Sequence, residues 1–261
     1  MVKATLSLAL IIGMTLGMTT AEASQYLRLG AVWEDSRSAT FRDSNCEPAD
    51  RAALFGCVDG DDGQPIGARG DFGSGVGAHL GWGMHFGEMW RTELELAYQP
   101  GLDFEGNANF LDSGEEQPVD GSLTQYRAGL NLYLDLAAAL GRDASTFEPY
   151  VGAGASVVRN RIGTMRYEFP GLENQPAQTM VPGGSSNHLG WMVTAGTGIE
   201  LSPRNVLDLG ISWHDHGRVE TPAGEIDIIR GGESVALVEV ESTRSRLETV
   251  GITLSWRHYL R

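Results

Sequence analysis

Apolar and polar residues alternate along much of the chain, most clearly between residues 71 and 86. One face of this segment is largely apolar, with Phe72, Ser74, Val76, Ala78, Leu80, Trp82, Met84 and Phe86. The other face is small or polar, with Gly73, Gly75, Gly77, His79, Gly81, Gly83 and His85. Because successive side chains of a strand point to opposite faces, this pattern predicts a β-strand. Its length exceeds that of a usual soluble strand, whereas a tilted membrane strand of about 9–11 residues can extend beyond the lipid.

Seven further segments show the same alternation. They cover residues 25–34, 91–99, 123–136, 149–159, 189–201, 206–216 and 248–260. Eight strands are the smallest usual number for a closed outer-membrane barrel. The sequence therefore predicts an all-β fold, an eight-stranded antiparallel transmembrane β-barrel that occupies residues 24–261.

The connections between these strands alternate in length. Short or moderate connections follow the second, fourth and sixth strands, and four long polar segments occupy residues 35–70, 100–122, 160–188 and 217–245. Barrels of the outer membrane have short periplasmic turns and long extracellular loops. We therefore expect four long polar loops on the extracellular side.

Charged residues fall mainly on the inward face of the predicted strands. The candidate lumenal charges are Arg28, Glu93, Glu95, Arg127, Asp135, Glu200, Asp208, Glu248 and Arg257. A lumen enclosed by eight strands is just wide enough for side chains, and ionised groups inside it must pair or contact water. We therefore expect a plugged, salt-bridged interior, although the many inward glycines leave space that water could occupy.

The N-terminal residues predict export. Lys3 supplies a positive start, residues 6–18 are uncharged and largely apolar, and Ala21-Glu22-Ala23 matches a cleavage site. This pattern is typical of a signal peptide of residues 1–23, with an N-terminal membrane anchor as the alternative. In an exported chain, the pair Cys46 and Cys57 favours a disulfide. Free thiols or a metal pair are the alternatives.

The net charge limits the classes of molecule that the chain is expected to bind. The sequence has 34 acidic and 19 basic residues, a net charge of −15. Nucleic-acid binding needs a basic patch, so we expect no nucleic-acid partner. The expected partners are outer-membrane lipids, lipopolysaccharide and a host or matrix ligand. We expect the barrel to be a monomer. Acidic loops would repel lipopolysaccharide unless divalent cations or arginines such as Arg37, Arg42 and Arg51 bridge them.

Two motifs carry a family resemblance. Residues 148–155 read Glu-Pro-Tyr-Val-Gly-Ala-Gly-Ala, and residues 209–217 read Leu-Gly-Ile-Ser-Trp-His-Asp-His-Gly. They resemble the fifth and penultimate strands of the small outer-membrane β-barrel family that includes opacity-type adhesins and OmpA-like membrane domains. In the second motif, Ser-Trp-His replaces the family's usual Tyr-Arg-Tyr. The resemblance implies an outer-membrane location and a surface role in adhesion or envelope integrity.

Other chemistries have weaker support. A narrow pore for small solutes is one alternative. A lipid A-modifying enzyme is another, with Ser212, His214 and Asp215 as its candidate residues, but the His-x-Ser-Asn motif of the deacylases is absent. The acidic run 59–63 lacks the glutamate that a calcium loop needs at its twelfth position. We therefore expect no enzyme activity, no cofactor and no metal site, including at His214 and His216.

Overall fold

β-Strands make up nearly all of the regular structure. The computed structural model describes residues 24–60, 62–141 and 146–260, so the predicted signal peptide lies outside the described residues. The elements are β1 (Gln25–Ser36), β2 (Ala39–Asp43), β3 (Ala68–Asp71), β4 (Ser74–Phe86), β5 (Trp90–Gln99), β6 (Phe104–Ala108), β7 (Pro118–Gly121), β8 (Leu123–Asp135), α1 (Leu136–Ala139), β9 (Phe147–Ile162), β10 (Met165–Glu168), β11 (Gln178–Val181), β12 (Gly184–Ser202), β13 (Asn205–Thr221), β14 (Gly224–Arg230), β15 (Glu233–Val240) and β16 (Thr243–Tyr259). No helix of the described residues is long and apolar enough to cross a membrane.

Eight long strands form a closed antiparallel barrel. Their order around the wall is β1, β4, β5, β8, β9, β12, β13 and β16. The last strand pairs with the first, with Tyr26 opposite Tyr259 and Glu34 opposite Gly251. Closure leaves no strand edge unpaired in the wall, which is the condition for a sheet in lipid. The predicted eight-stranded antiparallel barrel is confirmed.

The outer face of the barrel is an apolar band between two sets of aromatic residues. Along β1, Leu27, Leu29 and Trp33 are exposed, whereas Arg28 and Val32 between them are buried. The aromatic residues at the extracellular end are Trp33, Tyr98, Tyr126, Trp191 and Trp213. Those at the periplasmic end are Trp82, Phe86, Trp90, Phe147 and Trp256. An apolar band between two aromatic girdles is the surface of a transmembrane barrel.

The inward glycines make room for tyrosine rings. A Cβ atom placed on Gly83 would collide with the ring of Tyr26, and one on Gly152 would lie 2.5 Å from Tyr133 Cδ1. A Cβ on Gly196 would lie 2.6 Å from the hydroxyl oxygen of Tyr150. Small residues on one strand thus accommodate large inward side chains on its neighbours. Much of the space that the glycines leave is filled by protein.

The four long connections are folded, which differs from the polar loops expected from sequence. Each connection contributes two short strands, and these pair in the order β2, β3, β6, β7, β10, β11, β14 and β15. Thr243 and Arg244 at the start of β16 pair with Asp43 and Arg42, which joins this second sheet to the barrel. We call it the extracellular layer. Strand pairing satisfies backbone groups that a structureless loop would leave to water.

The extracellular layer has its own apolar core. Phe41 lies at a ring-centroid distance of 5.1 Å from Phe104 and 6.0 Å from Phe72, and all three side chains are fully buried. A second aromatic group consists of Phe55, Phe110, Tyr167 and Phe169. The four connections are polar on average, but their scattered apolar residues gather on one side of the paired strands. Burial of these rings stabilises the layer as a structured platform.

Phe72 corrects the sequence-based assignment of an outward face. The alternation placed Phe72 in line with Val76 and Leu80, but its ring is fully buried in the core of the extracellular layer. Gly73 has φ of +60° and separates β3 from β4. This left-handed residue breaks the alternation, so the lipid-facing register begins at Ser74 and not at Phe72.

Candidate functional site

A buried arginine connects several strands across the periplasmic half of the lumen. Arg28 on β1 donates from Nε to Ser255 Oγ at 2.8 Å and from Nη1 to Tyr133 Oη at 3.0 Å. The same Nη1 lies 3.3 Å from Glu93 Oε1, and Nε lies 3.9 Å from Asp208 Oδ2. Because Tyr133 belongs to β8 and Asp208 to β13, these contacts cross the interior.

Two further arginines complete this lower network. Arg257 is fully buried and lies 2.9 Å from Glu148 Oε2 and 3.1 Å from Asp208 Oδ1. Arg91 pairs with Asp135 at 3.0 Å and lies 5.0 Å from the ring centroids of Tyr133 and Tyr150. Charge pairs and cation–π contacts of this kind compensate the loss of water around a buried guanidinium.

A second network fills the extracellular half of the lumen. Arg127 Nη1 on β8 donates to Glu34 Oε1 on β1 at 2.6 Å and to Gln125 Oε1 at 3.2 Å. His216 Nε2 lies 2.9 Å from Thr249 Oγ1 and 3.6 Å from Glu34 Oε2. Glu34 therefore connects side chains of β1, β8 and β13. The two networks lie one above the other, so polar side chains occupy the interior at two levels.

Glu34, His214 and His216 form the one group of described residues that could hold a metal ion. Their ligand atoms all lie within 4.8 Å of one another, and all three residues are enclosed by the barrel wall. The Arg127 guanidinium is already bound to Glu34 at 2.6 Å. A cation at this position would have to displace it or tolerate its charge. The geometry is that of an ion-paired lumenal cluster.

The candidate catalytic residues Ser212, His214 and Asp215 do not form a triad. Ser212 Oγ lies 2.9 Å from His214 Nε2 inside the barrel. Asp215 is the next residue along the strand and therefore points to the outer face. There its Oδ2 accepts hydrogen bonds from Trp191 Nε1 at 3.2 Å and Arg246 Nη2 at 2.6 Å. The acid and the histidine thus lie on opposite sides of the wall.

The structure places most of the candidate lumenal charges inside the barrel. Arg28, Glu93, Arg127, Asp208 and Arg257 are buried, Asp135 pairs with Arg91, and Glu95 is half-buried on the inner face of β5. Glu200 lies at the periplasmic end of β12 and is exposed. It has the inward parity, but the strand ends there and the side chain reaches solvent.

Glu248 differs from its expected position. It lies opposite Asp215 and has the same parity as the outward Val250. Its Oε1 lies 3.1 Å from Arg246 Nε on the outer surface. Strict alternation from Val250 gives this result, so the inward assignment of Glu248 was wrong. Together with Asp215 it holds Arg246 in an outer-face ion cluster.

Cys46 and Cys57 are joined by a disulfide in the extracellular layer. The loop between them is also tied to Asp43, whose carboxylate accepts backbone N–H groups of Leu54, Phe55 and Gly56 at 2.8–3.0 Å. Burial raises the pKa of the Asp43 carboxyl, and these hydrogen bonds act against that rise. The first long connection is therefore fixed at two points.

Sequence reasoning did not identify several lumenal partners. Tyr26, Tyr133 and Tyr150 are buried beside the arginines, and Glu148 pairs with Arg257. Their inward parity was readable from alternation. Their partners were not, because partners on distant strands depend on how the barrel closes.

Comparisons with known proteins give matches of fold. No family model matches the chain, and no curated relative matches it. Among solved structures, Neisserial surface protein A is 14% identical, with 88% of this chain and 96% of that chain covered at a TM-score of 0.39. The outer membrane protein OprG from Pseudomonas aeruginosa is 12% identical, with coverages of 92% and 96% and a TM-score of 0.45. The outer membrane protease OmpT from Escherichia coli is 10% identical, with coverages of 95% and 99% and a TM-score of 0.47.

The closed register and the outer surface define the class of protein. Eight strands return on themselves, the lipid-facing side chains are apolar, and aromatic residues flank the band at both ends. The chain is a small β-barrel of the outer-membrane type. Its polar networks occupy the lumen, and its folded extracellular layer extends beyond the membrane.

Proposed function

We propose that this chain is a non-conducting surface protein of the outer membrane that presents a rigid platform for contact with a host or matrix ligand. The observation that carries the proposal is the pair of cross-lumen networks, centred on Arg28 and on Glu34 with Arg127. A barrel filled in this way supports the envelope without opening a path for solutes. No catalytic role is part of the proposal.

The surface of the extracellular layer supports a ligand with basic groups. Gly114 and Gly171 approach each other where the β6–β7 and β10–β11 connections meet, since a Cβ on Gly114 would lie 3.3 Å from Gly171 Cα. Exposed Glu115, Glu116 and Glu173 lie within two residues of these glycines along the chain. We call these three residues the acidic tip. Electrostatic complementarity favours a cationic partner and makes association salt-dependent.

Conductance tests the plugged lumen. The purified protein, folded in detergent and inserted into planar bilayers, is expected to give no discrete conductance steps. Heat-modifiable migration on a gel verifies that the inserted material is a folded barrel. Stable unitary steps from such material would contradict the non-conducting assignment and favour a narrow pore.

Adhesion tests the platform. A non-adherent Gram-negative host that displays the protein is expected to be retained on matrix-coated plates, with retention reduced at high salt. Glu115→Lys with Glu116→Lys and Glu173→Lys should reduce retention, whereas the matched triple change to Gln should have a smaller effect. Retention equal to that of a host without the protein, at verified surface expression, would refute the contact role.

A further inference from the structure

Two arginines lie on the outer face of the barrel at the extracellular edge of the apolar band. On β8, β9 and β12 the outward side chains change from apolar to polar within one step of the register. Read outward from the membrane, the rows are Ala128, Val157 and Leu189; then Tyr126, Arg159 and Asn187; then Thr124, Arg161 and Ser185. Arg159 and Arg161 therefore lie where the head groups of the outer leaflet would meet the wall.

Neither arginine is neutralised by the protein. Within the described parts of the chain, no ion pair joins Arg159 or Arg161 to a carboxylate within 4.0 Å. Arg159 Nη2 lies 3.4 Å from Ser185 Oγ, a weak contact with a neutral group. The cross-strand neighbours of both arginines carry hydroxyl, phenol or amide groups. This surface presents two positive charges that have no acidic neighbour in register.

A second arginine-rich surface on β13 and β16 provides a contrast. Arg218 lies opposite Arg246 there, but Arg246 pairs with Asp215 at 2.6 Å and with Glu248 at 3.1 Å. The protein supplies the counter-charges on that side. On β9 they must come from outside the chain.

A cleft opens beside the two uncompensated arginines. Its volume is about 590 Å³ on the apolar side and about 910 Å³ on the polar side, in two adjoining parts. Arg161, Thr164 and Ser185 line the polar part. Ala128 and Val157 line the apolar part, on the lipid-facing band. Tyr126 and Arg159 line both parts, so the polar and apolar surfaces are continuous.

We propose that this surface binds a phosphorylated, acylated glycolipid of the outer leaflet, with its phosphate on Arg159 and Arg161 and an acyl chain in the apolar part of the cleft. Guanidinium groups bind phosphate through paired, charge-assisted hydrogen bonds. Arginine also extends from an apolar surface to the head-group level while its methylene groups stay in lipid. The apolar part explains why an amphiphile fits better than a free anion.

Lipid binding in defined micelles tests the site. Folded protein in zwitterionic detergent with a chelator is titrated with bisphosphorylated lipid A, and retained lipid is counted by native mass spectrometry. The chelator removes bridging through divalent cations. Arg159→Ala with Arg161→Ala should weaken binding at least about tenfold, because two charge-assisted contacts are lost. Arg159→Lys with Arg161→Lys should recover part of the affinity.

Matched controls separate the site from net charge. Arg166→Ala with Arg204→Ala removes the same charge in the extracellular layer and the periplasmic turn, and should leave lipid A binding unchanged, because Arg166 is already paired with Asp120 and Glu168. Dephosphorylated lipid A should bind weakly to every variant, and Ala128→Trp, which fills the apolar part, should weaken lipid A binding. The proposal fails if the Arg159/Arg161 double variant, folded by gel mobility, binds lipid A like the wild type. It also fails if inorganic phosphate displaces the lipid completely.

Discussion

The guanidinium of Arg127 on β8 lies 2.6 Å from the carboxylate of Glu34 on β1, across the lumen of the barrel. Two strands, β4 and β5, separate β1 from β8 along the wall. The pair therefore connects non-adjacent parts of the sheet. Both side chains are almost completely buried, so each charge depends on the other. Removing one partner from such a pair costs far more than exchanging both.

Arg127→Met is expected to lower the free energy of unfolding by about 3–5 kcal/mol, because it leaves the Glu34 carboxylate buried without its main counter-ion. The double variant Glu34→Gln with Arg127→Met should be less destabilised than Arg127→Met alone. Urea unfolding in micelles, followed by tryptophan fluorescence and by gel mobility, measures the difference. Strictly additive effects of the two single changes would show that the charges are not coupled.

Emptying the lumen should open a path for ions. Arg28→Ala, Glu93→Ala, Glu34→Ala and Arg127→Ala together remove the central side chains of both networks. Planar-bilayer recordings are expected to show conductance steps with this variant and none with the wild type. The pairwise variants, each removing one network only, serve as controls and should stay silent because the other level still obstructs the lumen. Silence of a folded quadruple variant would mean that other side chains close the barrel.

The extracellular layer should unfold separately from the barrel when an aromatic side chain of its core is truncated. Phe104 packs against Phe41 at 5.1 Å and Phe72 at 5.2 Å, so Phe104→Ala is expected to cost about 3–5 kcal/mol locally. Proteases should then cleave within the long connections while the barrel keeps its heat-modifiable mobility. Leu111→Ala, at a side chain that is 46% exposed, is the matched control and should leave cleavage unchanged. Loss of the barrel along with the layer would show that the two parts fold as one unit.

The strands were predictable because alternation is a local property. Every segment chosen from the pattern overlaps one long barrel strand, although the segment 71–86 begins three residues before β4. The closure of β1 on β16 is seen in the strand pairing. The buried position of Phe72 was not predicted. The left-handed Gly73 interrupts the strand where the chain leaves the membrane, so the alternation does not extend to Phe72. The strands of the extracellular layer were not predicted because each has only 4–8 residues, which is too few to show a clear period of alternation.

The sequence predicted most of the charged residues that face the lumen, but it did not predict which of them contact each other. Parity alone gives the face of Arg28, but its contact with Tyr133 depends on the diameter and shear of the closed wall. Arg159 ends a predicted strand with the outward parity, but Arg161 falls in the segment 160–188 that was expected to be a loop, and the structure extends the strand to Ile162. Their lack of acidic neighbours depends on which strands lie beside β9. Such information is non-local, and a single strand pattern does not contain it.

The disulfide should stabilise the first long connection and not the barrel. Cys46 and Cys57 are separated by 11 positions, so loop-closure entropy predicts roughly 3 kcal/mol for the cross-link. Cys46→Ser with Cys57→Ser is therefore expected to raise hydrogen exchange between residues 46 and 57, while the exchange of β1 and β16 amides stays slow. Asp43 should keep part of the turn in place, since it binds three backbone N–H groups there. Adding Asp43→Ala to the double cysteine variant should raise hydrogen exchange in the part of the turn that Asp43 still holds. Unchanged exchange in the triple variant would mean that packing of Phe55 against Phe110, at 5.4 Å, is sufficient to hold the connection.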